Sequence, residues 1–229
     1  IKPTYINNFD LRVEKYGDGK DFYAFSAFYK DFTDPIELSF IREAEGQFTP
    51  LNLGNATVVG AEIEVRKNLG FLAAALQNFS ASVNVSVIES RQNYSEDEEQ
   101  NRLDTLRDGQ TLDDTRQLQG QSPYLINAGL VYETEDNLSI GAFYNVQGRT
   151  LQIVGSGDIP DVYTLPFNSL NITANKTFGD EVKHSIGLKI ENLLGDDIES
   201  EYEFFGAENR TFSFRSPQTM FSVSYGVKF

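Results

Sequence analysis

Met220-Phe221-Ser222-Val223-Ser224-Tyr225-Gly226-Val227-Lys228-Phe229 closes the chain, and its reading decides the fold. Phe221, Val223, Tyr225, Val227 and Phe229, with Thr219 before them, fall on one face; Met220, Ser222, Ser224, Gly226 and Lys228 fall on the other. A period of two is that of the pleated strand, whose successive side chains point to opposite faces. The alternation runs through the whole segment. Strands of soluble sandwiches usually run about 5–6 residues, whereas a strand that crosses a bilayer needs about 9–11.

Upstream, the same split recurs. Phe9, Leu11 and Val13 oppose Asp10, Arg12 and Glu14; Val59, Ala61, Ile63 and Val65 oppose Gly60, Glu62, Glu64 and Arg66. Ala81, Val83, Val85 and Val87 oppose Ser80, Ser82, Asn84 and Ser86; Ile126, Ala128, Leu130 and Tyr132 oppose Asn127 and Gly129. Leu138, Ile140, Ala142, Tyr144 and Val146 oppose Ser139, Gly141, Asn145 and Gln147. Leu170, Ile172 and Ala174 oppose Asn171, Thr173 and Asn175, and Ile186, Leu188 and Ile190 oppose Ser185, Lys189 and Glu191. Asp21 to Asp31 is apolar or aromatic on both sides, so its faces stay unassigned. The pattern predicts about nine strands and no helix.

The connections alternate strictly between short and long. Tyr16 to Lys20, Glu133 to Asn137 and Phe178 to Glu181 carry tight-turn chemistry, and Arg66 to Asn78 is a longer member of that class. Phe32 to Asn55, Arg91 to Gly120, Gly148 to Thr164 and Leu193 to Arg215 are long and polar. Antiparallel strands joined in this way have one trim rim and one rim of large loops.

Composition narrows the function. Among 229 residues, 19 Lys and Arg face 34 Asp and Glu, a net charge of −15, which argues against nucleic acid as a partner. Aromatic content of 13% argues against a disordered acidic tail. Zero Cys removes disulfides, thiolate metal sites and a Cys nucleophile, and the single His184 leaves little room for a His-rich zinc site or a His-based triad. No run approaches the roughly 18–20 apolar residues of a spanning helix; the longest, Phe71 to Leu76, is short and Ala-rich. Ile1-Lys2-Pro3-Thr4-Tyr5 shows no signal-peptide pattern and reads like the interior of a longer protein.

Two all-β architectures fit: a soluble sandwich or jelly roll, and a transmembrane barrel wall. Strand length, polar faces rich in Ser, Asn, Gly and Gln, and aromatics at the short-turn rim (Tyr16, Phe22, Phe79, Tyr132, Phe178 and Phe229) favour the barrel. Hydrocarbon cannot satisfy free backbone N–H and C=O groups, so spanning strands must close into a ring. An odd count of up-and-down strands leaves the first and last parallel, which implies further strands upstream of Ile1.

Family resemblance rests on a series of segments. The closing decapeptide resembles the C-terminal targeting strand of Gram-negative outer-membrane barrels, with Phe221, Val223, Tyr225, Val227 and Phe229 as its pattern. Phe28-Tyr29-Lys30-Asp31-Phe32 with Pro35-Ile36-Glu37, Asn55-Ala56 running into Gly60-Ala61-Glu62-Ile63-Glu64, Gly120 to Leu130, and Glu191-Asn192-Leu193-Leu194 follow in order. Together they resemble the C-terminal part of TonB-dependent receptors, especially those of Bacteroidetes. That resemblance implies an antiparallel up-and-down transmembrane β-barrel of 22 strands with a plug inside, of which residues 1–229 would supply about nine C-terminal strands. It further implies TonB-dependent uptake of a scarce solute (siderophore, oligosaccharide or peptide) across the outer membrane. The implied partners are the rest of the barrel and its plug, the TonB complex through a more N-terminal region, outer-membrane lipid and lipopolysaccharide. A surface lipoprotein stays open, and no cofactor is implied. The alternatives are a secreted β-sandwich binding carbohydrate and a barrel serving secretion.

Candidate sites follow from the polar faces. Glu62, Glu64, Asn84, Asn127, Asn145, Gln147, Asn171 and Asn175 would line the lumen and contact plug or ligand. Glu62 and Glu64 could be read as a glycosidase pair, but no further acid or base accompanies them, and no catalytic residue is assigned. The acidic stretch Ser95 to Glu99, with Asp104, Asp108, Asp113 and Asp114, offers oxygen ligands for Ca²⁺ but lacks EF-hand spacing. It reads as a solvated loop, as do Asp196, Asp197, Glu199, Glu201 and Glu203, and no metal site is assigned. Gly141, Gly187 and Gly226 read as bends or as points of close plug approach.

Overall fold

The computed structural model describes the chain except for Asp18, Lys20, Glu43, Glu45, Asp180, Glu181, Val182 and Phe229. Sixteen strands and one α-helix occur among the described residues. They are β1 (Tyr5–Tyr16), β2 (Phe22–Thr33), β3 (Ile36–Phe40), β4 (Phe48–Asn52), β5 (Asn55–Asn68), β6 (Phe79–Asn93), α1 (Glu96–Asp104), β7 (Thr115–Arg116) and β8 (Tyr124–Glu133). There follow β9 (Leu138–Gln147), β10 (Thr150–Ile153), β11 (Val162–Thr164), β12 (Phe167–Phe178), β13 (His184–Glu191), β14 (Ile198–Tyr202), β15 (Arg210–Arg215) and β16 (Met220–Val227).

Nine of these form one antiparallel wall in the order β1-β2-β5-β6-β8-β9-β12-β13-β16, a meander in which each strand pairs with its neighbours in sequence once the loop strands are set aside. Register carries the period-two pattern intact across the wall. On one face Val13 lies opposite Phe25, Phe25 opposite Ile63, Ile63 opposite Val85, and Val85 opposite Ile126. This face is apolar and yet open, with Ile63 55% and Val87 61% exposed. A sandwich would cover such a face with a second sheet. The mixed segment in β2 also resolves: Tyr23, Phe25, Ala27 and Tyr29 join the apolar face, and Phe22, Ala24, Ser26 and Phe28 the opposite one.

Most of the buried apolar residues lie in the long connections. Phe40 from the β2–β5 connection packs with Ile153 and Val162 from the β9–β12 connection, and with Tyr202 and Phe212 from the β13–β16 connection. The rings of Tyr202 and Phe212 meet edge-on at 5.3 Å. Strands β10-β11-β14-β15 form a four-stranded sheet from two of these connections, and β3 pairs with β4. The expectation of long, purely polar links is therefore corrected: the connections fold together into a cap over one rim.

The expectation of no helix is corrected as well. Helix α1 forms in the acidic stretch because Ser95 caps it, accepting from the Glu98 N–H, and Glu96, Asp97, Glu98 and Glu99 occupy the first turn where the helix dipole favours negative charge. Gly54, at φ +68°, joins the β3–β4 hairpin to β5, where a Cβ would sit 2.2 Å from the Asn93 carbonyl oxygen; only glycine fits.

Candidate functional site

The face opposite the apolar one is a polar shelf. In one register row Glu64 lies opposite Asn84, Asn84 opposite Asn127, Asn127 opposite Asn145, and Asn145 opposite Ser169. The predicted residues Glu62, Glu64, Asn84, Asn127, Asn145, Gln147, Asn171 and Asn175 all fall on this face by register. They differ in what they have free. Asn84 Nδ2 donates to Glu62 Oε1 at 2.5 Å, and Asn145 Nδ2 to Asn127 Oδ1 at 2.6 Å. Glu64 takes an ion pair from Arg12 at 3.2 Å. Gln147 reaches Thr150 under the cap, and Asn171 accepts from the Asn192 N–H at 3.1 Å while donating to Ser169, so both brace the wall. Glu62 is engaged by Asn84 and Glu64 by Arg12, and the shelf offers hydrogen-bond donors and acceptors.

Towards the cap the shelf turns apolar. Phe28, Phe32, Ala56, Val58 and Ile88 receive Leu118 from the β6–β8 connection, so that this connection rests against the polar side of the wall. The glycines have close neighbours within the wall. A Cβ on Gly60 would meet the ring of Phe28 at 2.4 Å, and one on Gly141 the ring of Phe143 at 2.6 Å. At Gly187 it would meet Ser224 at 2.6 Å and Asn175 at 2.9 Å, and at Gly226 Ser185 at 2.7 Å. These positions make room for neighbouring side chains of the wall itself.

At the short-turn rim the aromatic girdle is partly corrected. Phe79 and Tyr132 pair at 4.8 Å, and Phe178 stacks on His184, all on the apolar face. His184 bonds the Tyr225 hydroxyl at 2.8 Å. Tyr16 and Phe22 pair with each other at 5.1 Å but share the polar face with Glu14 and Arg66. Phe221, Val223, Tyr225 and Val227 are exposed together on β16; Phe229 lies outside the described residues.

Within the cap, charge is buried and paired. Arg116, on β7, holds Glu37 of β3 in a bidentate pair at 2.7 and 3.0 Å, and reaches Glu98 of α1 at 2.7 Å. Arg102 of α1 binds the same Glu98 and Asp161, the latter at 2.8 Å, and the Gly155 N–H donates to Asp161 at 2.7 Å. Three connections are thereby tied at one point. Burial disfavours the charge on Arg116, but its hydrogen bonds to Glu37 and Glu98 outweigh that and hold the guanidinium above its ordinary value. For Asp161, burial pushes the carboxyl up, and the charge and hydrogen bonds of Arg102 with the Gly155 N–H carry it below its ordinary range. Burial, followed by the Asp161 and Glu203 charges, raises Tyr163, whose ring lies 3.7 Å under the Arg149 guanidinium.

Glu98 is thus a buried ion-pair partner, which corrects the reading of the whole acidic stretch as solvated. Periodicity carried no sign of it; the capping pattern Ser95-x-x-Glu98 did. Among the described residues no three His, Cys, Asp or Glu side chains gather as metal ligands. Beside the network lies a cavity of about 370 Å³ lined by Thr105, Arg107, Asp158, Ile159, Phe204 and Phe205 among others, which the polar-face reading did not anticipate. Arg107 donates to the Phe205 carbonyl at 2.9 Å, joining the second and fourth connections.

A wall with one open apolar face and one polar face, capped by its long loops, is the geometry of a membrane β-barrel segment. Residues 1–193 match the family model "TonB dependent receptor-like, beta-barrel", and the chain belongs to that family. No curated protein sequence matches the chain. Among solved structures it is similar to the copper transporter OprC (17% identity, TM-score 0.68, covering 100% of this chain and 32% of that one). It is also similar to the unliganded ferric citrate transporter FecA (13%, 0.67, 96% and 31%) and to the ferric yersiniabactin uptake receptor FyuA of Yersinia pestis (15%, 0.64, 99% and 30%). The chain thus spans about a third of the length of these relatives, which are transporters and an uptake receptor. Family membership assigns the chain to an outer-membrane β-barrel.

Proposed function

We propose that residues 1–229 form the C-terminal nine strands of a 22-stranded TonB-dependent transporter of the Bacteroidetes type, in the outer membrane of a Gram-negative bacterium. The rest of the barrel closes against the free edges of β1 and β16, and a plug fills the lumen against the shelf of Glu62, Glu64, Asn84, Asn127, Asn145, Gln147, Asn171 and Asn175. The cap captures a scarce solute of the siderophore, oligosaccharide or peptide class. TonB, acting through a more N-terminal region, then rearranges the plug to admit it. The exposed apolar residues of β16 serve as the assembly signal, together with Phe229. Lipopolysaccharide surrounds the loop rim.

The observation that carries this reading is the continuous nine-strand register with an open apolar face. Two features support capture by the cap: its cavity combines Arg107 and Asp158 with Phe204 and Phe205, and its loops pack on one another through the cluster around Phe40. The test is accumulation of candidate solutes by cells carrying the full-length protein, with and without an active TonB system. Uptake that requires both supports the reading; uptake indifferent to TonB, or recovery of the protein as a detergent-independent soluble species, overturns it.

A further inference from the structure

The connection between β5 and β6 is unlike the other short turns. Lys67-Asn68-Leu69-Gly70-Phe71-Leu72-Ala73-Ala74-Ala75-Leu76-Gln77-Asn78 carries no acidic residue and folds as two 3₁₀ turns, Leu69–Phe71 and Ala74–Leu76. Asn68 caps the first, its Oδ1 accepting from the Gly70 N–H at 2.9 Å and its Nδ2 donating to the Gln77 carbonyl at 2.6 Å, so the two ends of the connection are clasped. A clasped loop of this kind would ordinarily fold its apolar residues inward. Here Phe71 is 63% and Leu72 64% exposed, and Ala73 to Ala75 are exposed beside them.

Lys67 decides where these side chains stand. By register it continues the row of Ile63 and Val65, the apolar face of the wall. Its ammonium pairs with Asp21 at 2.6 Å, lies 5.7 Å from the Tyr23 ring centre, and lies 4.9 Å from that of Phe71. Tyr23 is on the same face. A cation between two rings draws Phe71 toward the outer side of the wall. The apolar turn therefore continues the lipid-facing surface past the last strand residues, with a lysine and aromatics at the level where amphipathic side chains meet headgroups.

We infer that the Leu69–Leu76 turn is a membrane foot: Phe71 and Leu72 enter the headgroup–acyl boundary of the leaflet at the short-turn rim, with the Asp21-paired Lys67 cation standing between the Phe71 and Tyr23 rings on the wall side of the turn. The occupant of this surface is the phospholipid bilayer. Continuity with the apolar wall and the cation clamp on its outer side both select lipid over a protein bound beneath the lumen. This rests on the reading of that wall as lipid-facing, and the test separates the two.

Single tryptophans are introduced into the full-length protein reconstituted in phosphatidylglycerol-containing vesicles, and each emission is read as the difference from the parent; the chain itself contributes no Trp. Phe71→Trp and Leu72→Trp are compared with Ile63→Trp on the outer wall and Asn84→Trp on the shelf. The expected result is a blue-shifted emission at positions 71 and 72, quenched most by lipids brominated about 5–10 Å below the headgroups, with Ile63→Trp quenched by deeper bromines and Asn84→Trp by none. Quenching at position 63 together with free access of aqueous iodide to 71 and 72 overturns the foot and leaves the barrel standing. Protection of 71 and 72 from both quenchers overturns it in favour of a protein partner. Loss of quenching at position 63 as well removes the lipid-facing wall and the foot with it. Lys67→Gln provides an independent check, since unclamping Phe71 should shift the Phe71→Trp emission to the red.

Discussion

Arg116 shows how a single side chain organises this molecule. It comes from a two-residue strand, yet four of its hydrogen bonds go to carboxylates from two different connections and a fifth to the Gln117 carbonyl, and almost none of it meets water. Its truncation would leave the buried Glu37 without its cation and Glu98 with Arg102 alone, and loss of one partner of a buried pair costs about 3–5 kcal/mol. Arg116→Ala should therefore loosen the cap, with faster amide exchange in 36–40, 96–104 and 150–164, while the wall between β1 and β16 keeps its protection. Unchanged exchange in those segments would show that the aromatic cluster around Phe40 holds the cap alone. Asp161 adds a pH dependence whose sign follows from its depressed pKa. Its contribution is complete above the unfolded carboxylate value and is lost as pH falls through the lower folded value. Protection factors in the cap, taken relative to intrinsic exchange at each pH, should be flat from neutral pH down through mild acid and fall only in strong acid, and Asp161→Asn should be destabilised already at neutral pH.

Elements differ in how clearly the sequence announced them. The wall strands were legible because each has two chemically distinct surroundings, and a period of two survives wherever that is so: Val59 to Arg66 and Ile126 to Tyr132 need no further information. Strands β3, β4, β10, β11, β14 and β15 were not legible. They are three to six residues long, too short to display a period of two, and their pairing depends on chain segments far apart in sequence, as where β11 meets β14. Glu37, Glu98, Arg102 and Asp161 look like surface residues until folding brings them together. Local rules did hold one clue, since Ser95 followed three residues later by Glu98 is a helix start. Because α1 carries two of the charged partners, its cap matters beyond the helix. Ser95→Ala should cost about 0.5–2 kcal/mol and appear as increased exchange in 96–104, with Ser95→Thr restoring most of the protection. An equal response in β6 and β8 would instead make the helix part of the wall's own cooperative unit.

At the scale of the whole molecule, the fold inverts the usual arrangement of a soluble protein: most of the packed core is in the loops, and the long regular elements expose their apolar side. The inversion makes sense only if hydrocarbon completes the structure, because a row of exposed Phe, Ile and Val in water would drive aggregation. A pair of substitutions separates the two faces. Ile63 lies on the apolar face and Glu64, its neighbour in the chain, on the shelf, so side chains of the same size placed at the two positions meet opposite media. An arginine on the lipid face near mid-wall costs about 2–4 kcal/mol and less towards either rim, whereas a lumenal arginine mainly changes local charge. In the full-length protein folded into vesicles, Ile63→Arg should lower the denaturant midpoint strongly, and Val59→Arg, nearer the loop rim, should lower it less. Glu64→Arg should leave the midpoint nearly unchanged, apart from the loss of the Arg12 pair, and alter the shelf instead. Equal penalties at 63 and 64 would mean that both sides of the wall are packed against protein, and the assignment of the apolar face to lipid would fall.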